Sequence, residues 1–358
     1  MTHDERLKTY KDLIDKDIAE YSKVLLDNTE DEYGAYSRET LESFVAILGR
    51  GGKRLRGALT MASYEMMGGT DRTMIIQAAR AIEMIHAYVL IIDDIADRSD
   101  MRRGGPSAHK IMQEYHHKNH LKSDDAHFGE SMAAQAALIG GYLAELIIDD
   151  LGISAETKLA VLRNLHSNLV RTGHGQLRDI LNETLPEVTE DDALWTAKYK
   201  TAYYTVVNPL EMGGILAGAT KEDLMILREY GTYAGIGFQI TDDIIGIFGD
   251  SAATGKSSLD DLKEGKITVL MTKALQMAGS VQRQQLLAML GNAHVNDEDL
   301  KKCQQILADT RALEYANQKA KALAGQARDV LARAPSTWSP ELVGFLDHLT
   351  EVFVERKT

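Results

Sequence analysis

Proline interrupts this chain at only five places, 106, 186, 209, 335 and 340. That scarcity constrains the fold most, because proline is the residue that ends or kinks helices. Between those points apolar residues recur three and four apart, as at Leu41, Phe44, Val45 and Leu48, a spacing that gathers them on one helix face. Strand-like alternation is hard to find anywhere. The stretch from Asp297 to Arg333 is amphipathic for most of its length and stops before Pro335, which predicts a helix there. No window reaches 18 uncharged apolar residues; Met132 to Ile148 comes nearest, but it carries Glu145 and the pair Gly140-Gly141. It is read as a buried helix rather than a membrane span. His116 to Phe128 and Asp250 to Gly265 are the most loop-like regions. No linker, low-complexity tract or solenoid repeat divides the chain. The expectation is an all-α fold, one domain over residues 1–358, with roughly ten or more helices packed on an apolar interior.

Charge and cysteine narrow the function. Lys plus Arg is 40 against 53 for Asp plus Glu, a net charge of -13, which argues against nonspecific nucleic-acid binding. The single cysteine, Cys303, forms no internal disulfide and no zinc-ligand set. A reducing compartment fits. The N-terminal MTHDERLKTYKDLIDKD lacks the apolar core of a signal peptide, so a cytoplasmic protein is expected.

Chemistry concentrates in LIIDDIADRSDMRRGG, residues 90–105. Asp93 and Asp97 follow an apolar helix and are four apart, so they share a face. Like charges so placed repel unless a cation lies between them, and magnesium, which takes hard oxygen ligands, is the natural occupant. One such motif is weak, since a solvated helix end would look the same. A second stands 149 residues on, where GIGFQITDDIIGIFGD, 235–250, again ends an apolar helix in an aspartate pair, Asp242 and Asp243. Two such helices facing each other would hold divalent ions for one diphosphate, drawing off its charge as it leaves.

Cations cluster in three places. GRGGKRLRGAL, 49–59, sets Lys53, Arg54 and Arg56 beside glycines at a helix start, where N–H groups and cations converge on anions. Arg102 and Arg103 precede Gly104 and Gly105, and TGKSSLDDLKEGKIT, 254–268, carries Lys256 and Lys266 in an expected loop. Ordinary charged turns would explain each singly, though not readily three in an acidic chain. GDSAATGKS imitates a P-loop, but five residues separate Gly249 from Gly255 where that motif needs four. The histidines at 109, 116, 117, 120 and 127 match no zinc spacing.

In order, GGKRLR, EMIH (83–86), DDIADRSDMRRG, HFGESMA, GQLRD (175–179), YKTA (199–202), GFQITDD and TGK with EGKIT make the chain resemble a trans-isoprenyl diphosphate synthase of the polyprenyl synthetase family, from about Lys53 to the C-terminal helix. The resemblance implies the all-α isoprenoid synthase type I fold around a central apolar cavity, and a homodimer. It implies that Asp93, Asp94 and Asp97, with Asp242 and Asp243, bind three magnesium ions around an allylic diphosphate. Arg102, Lys200, Lys256 and Lys266 would contact that diphosphate. Lys53, Arg56, His86 and Arg103 would hold isopentenyl diphosphate, and Thr201 and Gln239 would face the developing allylic cation. The chain departs from the family pattern at Ile92, Gly141 and Gly246, where a histidine and two aspartates are common. Gly246 leaves two carboxylates in the second motif, and Asp250 is eight residues past Asp242.

Tyr88 is five residues before Asp93, roughly 7.5 Å down the helix, and Val89 beside it is small. In this family that pairing resembles geranylgeranyl more than farnesyl diphosphate synthases, with plain core packing as the other reading of Tyr88. A terpene cyclase would lack GGKRLR and RRG. A noncatalytic partner subunit would lack an aspartate pair. A structural helical protein would not be stabilised by diphosphate.

Overall fold

The computed structural model describes residues 1–249 and 258–355. It is helical nearly throughout, and its residues divide into two compact units, Met1–Met61 with Thr70–Leu162, and Ala62–Gly69 with Arg163–Thr358.

The first unit holds α1 (His3–Tyr33), α2 (Ala35–Gly49), the start of α3 (Leu55–Met66), α4 (Arg72–Ala96), α5 (Ala108–Lys118) and α6 (Asp125–Asp149). A two-residue antiparallel pair, β1 (Met101–Arg102) with β2 (Gly105–Pro106), lies between α4 and α5. Side chains supply the helix starts: Thr2 and Glu5 form a capping box on α1, and Asp71 accepts from the Met74 amide on α4. Residues 78–87 of α4 are buried on every side, the pattern of a core helix. It packs on α1, α2 and α6. α2 and α6 approach closely because Gly140 has no side chain; a Cβ there would fall on the ring of Phe44, itself fully buried.

α4 and α6 are both long and apolar enough to cross a membrane, with 67% and 44% of their most apolar windows buried within the fold. The lower figure revises the reading of Met132–Ile148 as a buried helix. Ala133, Ala136, Ala137 and Ala144 face inward, whereas Leu138, Ile139, Tyr142 and Leu146 are exposed. α6 is therefore a core helix on one side only.

The second unit contains most of α7 (Ala155–Asn182), then α8 (Glu190–Thr196), a π-helical segment (Ala197–Val207) and α9 (Asn208–Leu216) as one continuous helical path. α10 (Lys221–Phe248) packs along the π segment and along α15. The remaining helices are α11 (Asp260–Glu264), α12 (Val269–Met277), α13 (Ser280–Met289), α14 (Asp297–Asp309), α15 (Ala312–Leu331) and α16 (Pro340–Val354). Pro209 and Pro340 sit in first turns, where the missing N–H costs least.

Three sequence expectations change. The predicted helix over Asp297–Arg333 is two helices, turned at Thr310–Arg311, where Arg311 takes φ +57 and Thr310 Oγ1 bonds the Ile306 carbonyl. No proline or glycine marks that turn. The loop expected over 116–128 shrinks to 119–124, because α5 runs on to Lys118 and Asp124 caps α6 through the His127 amide. In the second loop-like stretch, the described residues 258–265 include α11.

Candidate active site

α4 carries the first carboxylates to its C-terminus. The helix ends at Ala96, and the Asp97 amide bonds the Asp93 carbonyl at 2.8 Å, keeping the two residues one turn apart as their spacing predicts. Asp94 has no exposed surface. It accepts from Arg102, with Nε at 2.7 Å and Nη2 also bonded, and Nη2 lies 3.6 Å from Asp93 Oδ2. Arg102 is delivered by the β1–β2 ribbon, whose two-residue turn has φ +52 at Arg103 and +73 at Gly104. Arg50 ties the ribbon down by donating to the carbonyls of Arg102 and Pro106. Burial works against the Arg102 charge. Asp94, then Asp93 and Asp97, outweigh it and hold the guanidinium above its ordinary range.

Two turns back on α4, His86 is the centre of a cationic cluster. Arg56 Nη1 is 3.2 Å and Arg103 Nη2 3.0 Å from His86 Nε2. Guanidiniums only donate, so Nε2 accepts and the ring proton belongs on Nδ1. Arg103 Nη1 also donates to the Gly51 carbonyl at 2.6 Å. Gly52 makes that loop possible: its φ is +103, and a Cβ there would sit 3.1 Å from Arg103 Cζ. Lys53 follows on the exposed side of the loop. Arg54 departs from the expectation that it joins the anion-binding cations. It is buried, with Nε 2.7 Å from Asp15 Oδ1, Nη2 2.8 Å from the Leu48 carbonyl and Nη1 3.4 Å from Glu83 Oε2. Glu83 Oε1 accepts from the Gly57 amide at 3.0 Å. Arg54 therefore anchors the loop that presents Lys53 and Arg56.

Burial, and then the charges of Arg56, Arg103, Arg102 and Arg54, push His86 well below the ordinary histidine range. The neutral ring is favoured in the folded state, so the unfolded chain binds a proton first as pH falls. His86 therefore contributes stability that is complete above about pH 6.5 and is lost as pH drops below it, by at most about 1.4 kcal/mol per pH unit. Melting of the wild type and of His86→Asn at pH 7.5, 6.5 and 5.5 should converge as pH falls. Parallel curves would contradict the assignment.

In the second unit, Thr201 Oγ1 donates to Gln239 Oε1 at 2.6 Å, and Gln239 Nε2 donates to Asp243 Oδ1 at 2.7 Å. Lys266 Nζ is 3.4 Å from the same Asp243 oxygen, and Lys200 Nζ is 2.6 Å from Asp179 Oδ2. Burial raises Asp243 to about 7, with Lys266 opposing the rise and Asp261 and Asp242 adding to it. Burial also opposes the Lys266 charge, yet Asp261, Asp243 and Asp179 hold that lysine well above its ordinary range. The aspartate pair is thus split by environment: Asp242 is exposed and Asp243 buried. At Gly246 a Cβ would land on Asp261 Oδ2, so another carboxylate occupies the space a residue-246 side chain would need. Asp250 and Lys256 lie outside the described residues.

Among the described residues no three His, Cys, Asp or Glu side chains already converge as a metal-binding group. The donor chemistry nonetheless fits a divalent ion. Both aspartate motifs offer hard carboxylate oxygens, and each stabilises a positive head, Arg102 on Asp94 and Lys266 on Asp243. Tyr88, half-buried, lies beside Gly141, where a Cβ would be 3.4 Å from the Tyr88 ring. Asp15, Glu83, Asp179 and Asp261 are the residues the sequence did not single out. Glu83 and Asp179 stood inside the EMIH and GQLRD motifs, whereas nothing near Asp15 marked it.

The profile of the polyprenyl synthetase family matches residues 38–307, and the chain belongs to that family of prenyltransferases. It is 32% identical over 314 residues to the geranylfarnesyl diphosphate synthase of Aeropyrum pernix, covering 87% of this chain and 92% of that one. It is 33% identical over 290 residues to the geranylgeranyl diphosphate synthase of Saccharolobus solfataricus, covering 80% and 81%. Among solved structures, the geranylgeranyl pyrophosphate synthase of Corynebacterium glutamicum, complexed with isoprenyl diphosphate and magnesium, superposes with a TM-score of 0.90 at 29% identity over 100% of both chains.

Proposed function

We propose that the protein condenses isopentenyl diphosphate with an allylic diphosphate to give a short-chain all-trans prenyl diphosphate, geranylgeranyl diphosphate, with residues 1–358 as a single catalytic domain. One observation carries the reading. Along one helix, α4, a carboxylate group holding Arg102 is preceded, two turns back, by a cluster in which Arg56 and Arg103 converge on a histidine whose neutral form burial favours. Two cations gathered on a group without charge repel each other, and an anion relieves that cost. The two assemblies suit two diphosphates of different role.

Asp93, Asp94, Asp97, Asp242 and Asp243 would hold divalent metal, three magnesium ions per site. When bound, those ions draw charge from the departing diphosphate. Arg102, Lys200, Lys256 and Lys266 contact the allylic diphosphate and neutralise it as its C–O bond breaks toward an allylic carbocation. Thr201 and Gln239 turn oxygen dipoles toward that cation, and an apolar cavity keeps water from it. Lys53, Arg56, His86 and Arg103 hold isopentenyl diphosphate so that its double bond attacks; the departed diphosphate takes the proton that restores the alkene. The exposed stripe Leu138, Ile139, Tyr142 and Leu146 on α6 supports a homodimer, and the cytoplasm is the proposed location.

The test is a product assay: magnesium, labelled isopentenyl diphosphate and allylic primers of five, ten or fifteen carbons, with chain lengths measured after dephosphorylation. Twenty-carbon product from each accepted primer is expected; product ending at fifteen carbons would make it a farnesyl diphosphate synthase. A folded protein yielding nothing would point to a noncatalytic partner subunit. Tyr88→Ala opens the floor beside Gly141 and should shift the main product to twenty-five carbons or more. An unchanged product would remove Tyr88 and Val89 from chain-length control.

A further inference from the structure

Gly175 and Asp179 stand one turn apart on one side of α7, and both meet the π-helical segment. At Gly175 the backbones touch: a Cβ there would lie 2.6 Å from Lys200 Cα and on the Lys200 nitrogen. One turn on, Asp179 is 6% exposed, and its Oδ2 is 2.6 Å from Lys200 Nζ. Asn182, fully buried, then donates to Thr196 Oγ1 at 3.2 Å. Three successive contacts along α7 thus seat the stretch that carries Lys200.

We infer that Asp179 is a positioning residue, which sets the Lys200 ammonium for the allylic diphosphate, with Gly175 as the seat that brings the Lys200 backbone within its reach. Lysine is a point charge on a flexible stem with several rotatable bonds. Backbone contact at Gly175 fixes where that stem begins, and Asp179 fixes where it ends. The GQLRD motif gains a reason: its glycine admits the neighbouring backbone, and its aspartate aims the neighbouring cation.

This inference rests on the role proposed for Lys200, so the experiment separates the two. Initial rates are measured for wild type, Asp179→Asn, Lys200→Gln and the double variant, varying each diphosphate in turn. Asp179→Asn should raise KM for the allylic diphosphate by about 10-fold, the scale of one charge-assisted hydrogen bond, with KM for isopentenyl diphosphate nearly unchanged. In the Lys200→Gln background it should add far less than it costs in the wild type, only the share Asp179 exerts on Lys266. Additive losses in the double variant would make Asp179 merely structural and overturn the inference while leaving Lys200 in place. A Lys200→Gln enzyme with unaltered allylic KM would overturn the role of Lys200 and the inference with it. Should Asp179→Asn fail to fold by circular dichroism, the cycle is run with Asp179→Glu. That variant keeps the charge but moves it by a methylene, and the same non-additivity is expected.

Discussion

Replacing Asp94 with asparagine should lower kcat by about 10³-fold, the upper end of what one misplaced transition-state electrostatic contact costs. Asp94 is the fully buried member of the first motif and receives two hydrogen bonds from Arg102. Asparagine keeps the volume, removes the charge and turns one oxygen into a donor that faces a donor. The proposed metal site loses an oxygen ligand, and Arg102 loses the counter-ion that holds it in place. Steady-state kinetics at saturating magnesium and isopentenyl diphosphate decide it. Activity within a few-fold of wild type would place the metal elsewhere. Arg102→Lys is the companion: a point charge cannot reproduce the two-pronged contact, so a substantial loss is expected there too.

The second large effect is on stability. Arg54→Met should destabilise the fold by about 3–5 kcal/mol, the usual result of stripping one partner from a buried ion pair. Glu83, only 2% exposed, would be left with the Gly57 amide, and the Leu48 carbonyl would lose its donor. The double variant Arg54→Met with Glu83→Gln should recover part of the loss, because the stranded charge is gone while an oxygen remains for Gly57. Urea midpoints of the four proteins measure this. An Arg54→Met midpoint equal to wild type would show that the loop 50–53 is held some other way.

Both results turn on arginines that sit in basic clusters on paper and behave differently in space. Lys53, Arg54 and Arg56 are neighbours in GGKRLR, yet Arg54 points to Asp15 and Glu83 while Arg56 reaches His86. Arg54 takes φ +48, a backbone conformation that non-glycine residues rarely adopt. Similarly Arg102 and Arg103 are adjacent but serve Asp94 and His86 respectively. The tight β1–β2 turn sends them apart. Composition shows that cations are present; the dihedral angles decide which one meets an anion and which one is structural.

By itself the sequence determined the all-α class, because five prolines and a three-and-four periodicity leave little else available. It determined the family through ordered motifs, and it determined that Asp93 and Asp97 share a face, since helical geometry is local. Only the tertiary structure decided that Asp94 would be buried against Arg102, that Asp243 would be buried and Asp242 exposed, and that Asp261 would fill the space beside Gly246. It alone turned Asp15, far from any motif, into the partner of Arg54. These outcomes depend on contacts between residues distant in sequence and on the burial those contacts create. Burial shifts His86 and Asp243 away from their charged forms, while distant aspartates keep Lys266 charged against burial, and no local pattern encodes either.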